Sequence, residues 1–177
     1  MNIPHRKQIR LPKYNYSQNG VYFITICAHN HKCIFGSIKN PLKINAIYPD
    51  NVGYGACDIP FVELSHSGEI VDKYINFMGG KYDYVNIDKY IIMPNHIHLL
   101  ISIMHSEGLS QAPNPTNDVI PKFISLFKRY CNREIGYNIW QKSFYEHIIR
   151  NEQDYLTHYE YIETNPIKWE TDDYYIK

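Results

Sequence analysis

The chain has 177 residues and a formal net charge of zero, with 44% hydrophobic and 20% charged residues, which is the composition of an ordinary globular protein. No apolar run is long enough to cross a bilayer, and no apolar signal segment follows the basic start "MNIPHRKQIRLPK". These features argue against a membrane partner and predict a single cytoplasmic domain over residues 1–177, while the neutral charge argues against a uniformly basic nucleic-acid binder.

Basic residues nevertheless cluster in two places. The N-terminal segment 1–16 has basic but no acidic side chains, and a second basic group follows helical spacings in "PKFISLFKRYCNRE". Local basic patches can therefore exist on a neutral protein. The four cysteines show no CxxC spacing, so free thiols in a reducing cytoplasm are the simplest interpretation.

The first half of the chain predicts three strands and one helix. A strand is expected from about Val21 to Ala28, with "KCIFGSI" as its hairpin partner, and residues 39–60 are rich in Pro, Gly, Asn and Asp, which indicates a loop insertion. "FVELSHSGEIVDKYINFMGG" predicts a short strand and then a helix that Ser67 could cap and Gly79–Gly80 end. The residues expected on one face of this helix are Ile70, Tyr74 and Phe77.

The second half predicts two adjacent strands and two helices. "DYVNIDKYIIMP" and "NHIHLLISIM" are strands that meet near Pro94, and a polar loop follows. "VIPKFISLFKRYCNRE" is a helix, "IWQKSFYEHIIR" is extended, and "NEQDYLTHYEYIETNP" is a last helix stopped by Pro166. The residues of the first of these helices expected to point inward are Ile120, Phe123, Ile124, Phe127 and Tyr130. This order of elements predicts an α+β fold, a ferredoxin-like or RRM-like sandwich with helices packed on an antiparallel sheet.

Two histidines stand one residue apart in the apolar stretch "IIMPNHIHLL". In a strand, His96 and His98 project from the same face while Ile97 and Leu99 face the other way. Burying two imidazoles without partners costs about 1–3 kcal/mol each, and a bound cation removes that cost because neutral imidazole is a common metal ligand. We therefore expect His96 and His98 to bind a metal ion together, with further ligands from elsewhere in the chain.

The last helix could supply them. Tyr155, Tyr159 and Ile162 form an apolar stripe that should belong to the core. Beside it lies a second stripe with an acid, an imidazole, a phenol and an amide, at Asp154, His158, Tyr161 and Asn165. On its own this stripe would be a solvated flank; beside a histidine pair it becomes a candidate nucleophile with a third metal ligand.

Three ordered motifs, "RLPKYNYSQNGVYFITICAHN", "IIMPNHIHLLI" and "IWQKSFYEHIIRNEQDYLTHYEYIETNPIKW", resemble the REP-associated tyrosine transposases, which are single-strand DNA transposases of the HUH class. The resemblance implies that His96 and His98 hold a divalent cation and that Tyr161 attacks the scissile phosphate. It also implies that Asn165 occupies the place of a third, polar ligand. His147 lies in a motif typical of the family without an assigned role, and His158 is a second accessory candidate.

The family's activity implies a metal-dependent endonuclease and strand transferase that cuts and rejoins single-stranded DNA at hairpin, REP-like sequences through a 5′-phosphotyrosine. The implied cofactor is Mg²⁺ or Mn²⁺, and manganese suits both imidazole and oxygen ligands. The implied setting is the nucleoid of a prokaryotic cytoplasm, and the enzyme could be a monomer or a homodimer. The expected DNA contacts, basic side chains with an aromatic platform, are Arg6, Lys7, Arg10, Tyr14, Lys128 and Arg129.

Three alternative functions are compatible with parts of the sequence. A domesticated protein that binds hairpin DNA without cutting it would not need His96, His98, Tyr161 and Asn165 all intact. A zinc hydrolase usually has further histidines or acids at close spacing, which "HIHLLIS" does not supply directly after the pair. A ferredoxin-like RNA-binding module should carry aromatic side chains, rather than histidines, on its central strands.

Overall fold

The computed structural model describes residues 19–40, 59–104 and 119–175. The predicted DNA contacts Arg6, Lys7, Arg10 and Tyr14 lie outside these residues, as does most of the predicted insertion 39–60. The described elements are, in chain order, β1 (Gly20–Cys27), β2 (Gly36–Lys39), β3 (Phe61–Leu64), α1 (His66–Gly79), β4 (Val85–Ile92), β5 (His96–Ile103), α2 (Val119–Ile135), β6 (Tyr145–Ile149) and α3 (Glu152–Thr164).

Four strands form an antiparallel sheet in the order β4-β5-β1-β6. With α1 and α2 between the strands, the chain follows a β-α-β-β-α-β path, which is the ferredoxin-like arrangement. The predicted α+β sandwich is confirmed. None of the described helices has the length and apolar character needed to cross a membrane.

One face of the sheet, here called the apolar face, carries Ile24 of β1 and Ile97 and Leu99 of β5, all with at most 1% of their surface exposed. These side chains join one buried cluster with residues of α1 and α2, including Val71 and Phe127. Alternation along the strands puts every second residue into this core, so these two helices find their main hydrophobic stabilisation here.

The opposite face, here called the histidine face, carries Thr25, His96 and His98 and is covered in part by α3. Its apolar cluster is small: Phe23, Leu100 and Ile162 are buried, and Tyr155, Tyr159 and Tyr161 of α3 pack around them. The predicted core stripe of the last helix therefore packs on the sheet as expected. The helix begins after its N-cap Asn151 and ends before Pro166.

The predicted hairpin between "KCIFGSI" and the first strand is wrong. β2 pairs with β3 instead, in a separate two-stranded ribbon. The reason is that β1 is a central strand, with β5 on one edge and β6 on the other, so neither edge is open to β2. A 3-10 turn at His29–His31, with positive φ at Asn30 and His31, leads the chain away from the sheet.

The predicted cap of α1 is also wrong, since Ser65 rather than Ser67 caps the helix. The Ser65 hydroxyl accepts a hydrogen bond from the Gly68 N–H at 3.2 Å and donates one to the Ile34 carbonyl at 2.6 Å. A Cβ at Gly68 would lie 2.0 Å from the Phe35 carbonyl oxygen, so only glycine permits this close approach. Phe77, predicted to share a face with Ile70 and Tyr74, is 50% exposed.

Candidate metal centre and nucleophile

His96 and His98 meet on the histidine face of β5. Both side chains are buried, and their Nε2 atoms lie 2.9 Å apart. Thr25 and Cys27 of β1 stand opposite them in the antiparallel register. The predicted same-face projection of the two imidazoles is confirmed, and the two ring nitrogens face one another across a distance suited to a shared cation or a shared proton.

Asn95 determines which nitrogen of His96 carries the proton. The Asn95 amide nitrogen donates to the His31 carbonyl at 3.1 Å and to the Tyr174 carbonyl at 2.7 Å, which fixes the orientation of the amide. Its oxygen therefore faces His96 Nδ1 at 2.8 Å, and that nitrogen must be the donor. In the neutral ring, His96 Nε2 is then left with a lone pair directed at His98.

His98 is held by Thr25, whose hydroxyl lies 2.8 Å from His98 Nδ1, and its ring stacks on Phe23 with centroids 5.1 Å apart. If His98 Nδ1 donates to Thr25, both Nε2 lone pairs face each other, and a cation between them is the arrangement that relieves their repulsion. Burial lowers the pKa of His96 to about 4 and holds the pKa of His98 well below its usual range. Both rings are therefore neutral at pH 7, which metal binding by imidazole requires.

Asp172 brings a carboxylate to the pair. Ligand atoms of His96, His98 and Asp172 all lie within 4.8 Å of one another. The sequence interpretation missed Asp172 because it follows the last helix in "ETDDYY", outside any helical stripe; an acid seven positions beyond Asn165 was the available signal. A short 3-10 turn at Trp169–Thr171 brings the chain back so that Asp172 lies beside the helix end.

Tyr161 of α3 and Asn165, the C-cap residue one turn later, both contact this carboxylate. The Tyr161 hydroxyl donates to Asp172 Oδ2 at 3.2 Å, and the Asn165 amide donates to the same oxygen at 3.1 Å. The Tyr161 ring meets the His98 ring edge-on, with centroids 5.2 Å apart. Burial, with Asp172 adding to it, raises the pKa of Tyr161 above its usual value, so the isolated phenol stays protonated at neutral pH.

Asn165 is 1% exposed, and its side-chain oxygen has no hydrogen-bond partner among the described residues. An orphaned buried oxygen costs about 1–3 kcal/mol, and oxygen is the donor that Mg²⁺ and Mn²⁺ prefer. Two imidazole nitrogens and a carboxylate thus suit a divalent cation, and Asn165, whose amide donates to that carboxylate, has a further oxygen without a partner among the described residues. The structure brings together all four main predicted residues, His96, His98, Tyr161 and Asn165, through their contacts with each other or with Asp172.

The predicted accessory residues His147 and His158 lie in a second cluster with Asp154, next to the first across the Phe23 ring.

The predicted DNA contact Lys128 has a structural role: its ammonium donates to the carbonyls of Gln141 and Ser143, and burial lowers its pKa to about 8. Arg129 is exposed. Lys128 and Arg129 also line a shallow groove of about 400 Å³ together with Lys142 and Phe144.

This combination defines a class: an α+β protein whose ferredoxin-like sheet presents a candidate metal centre next to a tyrosine on a helix. The chain is 35% identical to an uncharacterised protein of Haemophilus influenzae over 191 residues, covering 98% of this chain and 95% of the relative. The chain belongs to the same family as that protein. No family model matches the chain.

Named relatives match over a shorter stretch. A REP-associated tyrosine transposase of Escherichia coli is 30% identical over 82 residues, which is 46% of this chain and 44% of that protein. A putative REP-associated tyrosine transposase of Haemophilus influenzae matches equally, over 47% of its length. In both cases the match spans less than half of the relative.

Among solved structures, a REP-associated tyrosine transposase bound to a REP hairpin matches with a TM-score of 0.56 at 21% identity, covering 90% of this chain and 73% of that chain. At this identity the match shows the shared fold alone. Taken with the sequence relatives, it confirms the resemblance to REP-associated tyrosine transposases that the three motifs indicated.

Proposed function

We propose that this chain is a metal-dependent transposase-like enzyme, a single domain over residues 1–177, that cuts and rejoins single-stranded DNA at hairpin sequences. The observation that carries the proposal is the shared carboxylate: Asp172 has a ligand atom within 4.8 Å of those of His96 and His98, and it accepts the hydrogen bond of Tyr161. One acidic side chain therefore joins the candidate cation site to the candidate nucleophile.

The residues that would hold the cation are His96 and His98 through Nε2, Asp172 through its carboxylate and Asn165 through its free amide oxygen. A divalent ion, Mg²⁺ or Mn²⁺, would act as a Lewis acid on a non-bridging phosphate oxygen. Asn95 and Thr25 contact the Nδ1 atoms of His96 and His98 and so fix the orientation of both rings. The two histidines therefore need little rearrangement to bind the cation through Nε2.

Tyr161 would attack the scissile phosphorus. The new bond joins its phenolic oxygen to phosphorus, the bond between phosphorus and the 3′ oxygen breaks, and the phenolic proton is finally carried by that oxygen as a free 3′ hydroxyl. The product is a 5′-phosphotyrosine, and the reverse reaction with another 3′ hydroxyl rejoins a strand without an external energy source. Because its raised pKa keeps Tyr161 protonated before attack, the phenol must lose its proton during attack, and Asp172, which already accepts its hydrogen bond, would take that proton.

DNA would be held by basic and aromatic side chains. The REP-associated tyrosine transposase of known structure is bound to a REP hairpin, and we propose a hairpin ligand for this chain as well. Arg129 is the better of the two predicted helical contacts, since Lys128 is engaged with backbone carbonyls. Arg6, Lys7, Arg10 and Tyr14 stay predictions, as do the choice between monomer and homodimer and a location in the nucleoid of the cytoplasm.

The test is a covalent-complex assay. A DNA hairpin with single-stranded flanks, taken from repeats near the gene, is incubated with protein and Mn²⁺ or Mg²⁺ and run on a denaturing gel. We expect a protein–DNA band that requires the ion and disappears in Tyr161→Phe. Tyr155→Phe is the matched control, because Tyr155 lies on the same helix and packs on the same small apolar cluster, but its hydroxyl contacts Asp88 rather than Asp172.

Retarded DNA on a native gel with no covalent band in any ion would contradict cutting and favour the domesticated hairpin-binding alternative. A covalent band that persists in Tyr161→Phe would contradict the choice of nucleophile.

A further inference from the structure

A second group of metal-ligating side chains lies where β6 meets the start of α3. His147 comes from β6, and Asp154 and His158 lie one turn apart on α3; ligand atoms of all three are within 4.8 Å of one another. The group is separate from the first centre. Phe23 stands between the two, with its ring centroid 4.6 Å from His158 and 5.1 Å from His98.

The distances within this group suit a small tetrahedral ion. His147 Nε2 lies 3.1 Å from Asp154 Oδ1, and His158 Nδ1 lies 3.2 Å from the same oxygen. An ion with ligand bonds of 2.0–2.1 Å in tetrahedral geometry holds its ligand atoms about 3.3 Å apart. Two imidazole nitrogens and a carboxylate oxygen are also a donor set that first-row transition metals prefer over magnesium.

We propose that His147, Asp154 and His158 bind a divalent transition-metal ion of the zinc class, at a site distinct from the His96–His98 centre. The three protein ligands leave a fourth position for water or an anion. The two sites differ in exposure: His96 and His98 are buried, whereas the side chains of His147, Asp154 and His158 are 29%, 20% and 21% exposed, so the second site can exchange its ion with solvent.

Backbone contacts already orient the ligands. The Arg150 N–H donates to Asp154 Oδ2 at 3.0 Å, and the Asn151 side chain caps the helix by accepting from the Asp154 N–H at 2.9 Å. His158 Nδ1 also lies 2.8 Å from the Asp154 carbonyl oxygen. Without an ion, hydrogen bonds to Asp154 hold His147 Nε2 and His158 Nδ1; an ion would replace these hydrogen bonds with ligand bonds.

The proposed ion would fasten the helix that carries Tyr161. The described contacts of α3 with the sheet include one fully buried apolar side chain, Ile162, and several half-buried tyrosines. A link from β6 through the ion to His158 would fix this helix three residues before Tyr161. The site would therefore position the candidate nucleophile without touching the substrate.

The test is cobalt titration of the full chain without a polyhistidine tag, followed by visible absorption and by metal analysis after gel filtration. The key protein is the His96→Ala/His98→Ala variant, which lacks the first site. We expect it to retain about one Co²⁺ per chain, with the intense visible absorption bands that are typical of four-coordinate Co²⁺. Adding His147→Gln or His158→Gln should remove this ion, whereas adding His29→Gln, a change at an exposed histidine, should not.

A parallel titration avoids the buried substitutions. In the otherwise unchanged chain, His158→Gln should reduce bound Co²⁺ by one per chain, and Zn²⁺ should raise the melting temperature of the unchanged chain more than that of His158→Gln. The proposal is overturned if the His96→Ala/His98→Ala variant, shown folded by circular dichroism, binds no Co²⁺. It is equally overturned if the bound ion survives both His147→Gln and His158→Gln. Neither result depends on DNA cutting, so the proposed function is tested separately.

Discussion

Strand β5 contributes different kinds of side chain to the two faces of the sheet. All eight residues of β5 are buried, yet Ile97, Leu99 and Ile101 enter a large apolar core while His96 and His98 face a hydrogen-bonded polar centre. α1 and α2 cover the first face, and α3 with the segment around Asp172 covers the second. Burial alone therefore does not separate residues that stabilise the fold from residues that could do chemistry.

What separates the two faces is how buried polar atoms are satisfied. On the histidine face, Asn95, Thr25 and Asp172 each provide a partner for a ring or a phenol. Each such atom would cost about 1–3 kcal/mol if left unpaired. The face is consequently organised by matched donors and acceptors, and substitutions on it should change ion binding more than they change folding.

The largest expected effects come from neighbouring residues on opposite faces. Leu99→Ala should lower the free energy of unfolding by about 2–5 kcal/mol, because it leaves a cavity in the apolar core. Ion affinity per folded molecule should be unchanged. His98→Gln should abolish ion binding at the first centre with a smaller loss of stability. Urea unfolding measures the free energy of unfolding, and calorimetric titration measures Mn²⁺ affinity. Similar effects of Leu99→Ala and His98→Gln on Mn²⁺ affinity would contradict the proposed difference between the two faces.

Asn95→Ala should weaken cation binding about 10–100-fold, the usual consequence of removing a group that orients a ligating histidine. The physical reason is that Asn95 holds the proton of His96 on Nδ1 and leaves Nε2 as the ligand. The measurement is Mn²⁺ affinity of the folded variant. Asn132→Ala is the control, since this asparagine on α2 contacts Asn138 and Ile139, away from the histidines. Equal affinities for Asn95→Ala and the unchanged chain would contradict the positioning role.

The pH dependence of stability should also come from the histidine face. In metal-free protein, the pKa of His96 is about 4 when folded and about 6.5 when unfolded, so the unfolded chain binds more protons between these values. The contribution of His96 to stability is therefore complete above about pH 6.5 and is lost as the pH drops toward 4. Urea midpoints at pH 7 and pH 5 in EDTA should show this loss, and the loss should be smaller in His96→Gln. An unchanged pH dependence in that variant would contradict the assignment.

The smallest expected effect concerns the cap of α1, on the apolar side of the sheet. Ser65→Ala should cost about 0.5–2 kcal/mol of stability by removing the hydroxyl that accepts from Gly68. Ser67→Ala, two residues later, should change stability by no more than about 0.5 kcal/mol. Neither change should alter Mn²⁺ affinity. The reverse order of the two stability changes would restore Ser67 as the cap.

Periodic patterns predicted the elements that pack face to face. The alternation around His96 and His98, the inward positions of α2 such as Phe127, and the stripe of α3 through Tyr161 all follow from side-chain periods of two and 3.6. The sheet and the four main candidate residues were therefore accessible from the sequence.

Features that depend on distant partners were not accessible. β2 has strand character, but its pairing depends on which edges of β1 are already occupied. The cap at Ser65 depends on a contact with Ile34 across the fold. Asp172 joins the site through a chain reversal after α3, and Asn95 acts through carbonyls at His31 and Tyr174, neither of which a local pattern reports.

Whether Tyr161 is the nucleophile that cuts DNA is tested by locating the covalent bond between the protein and the cut strand. Protein trapped on a hairpin substrate with Mn²⁺ is digested with nuclease and protease, and the modified peptide is sequenced by mass spectrometry. We expect a nucleotide on the phenol of Tyr161, at a level that falls to background in a His96→Ala/His98→Ala variant. A nucleotide on Tyr155, Tyr159 or another residue, or none at any tyrosine while the DNA is still cut, would contradict it.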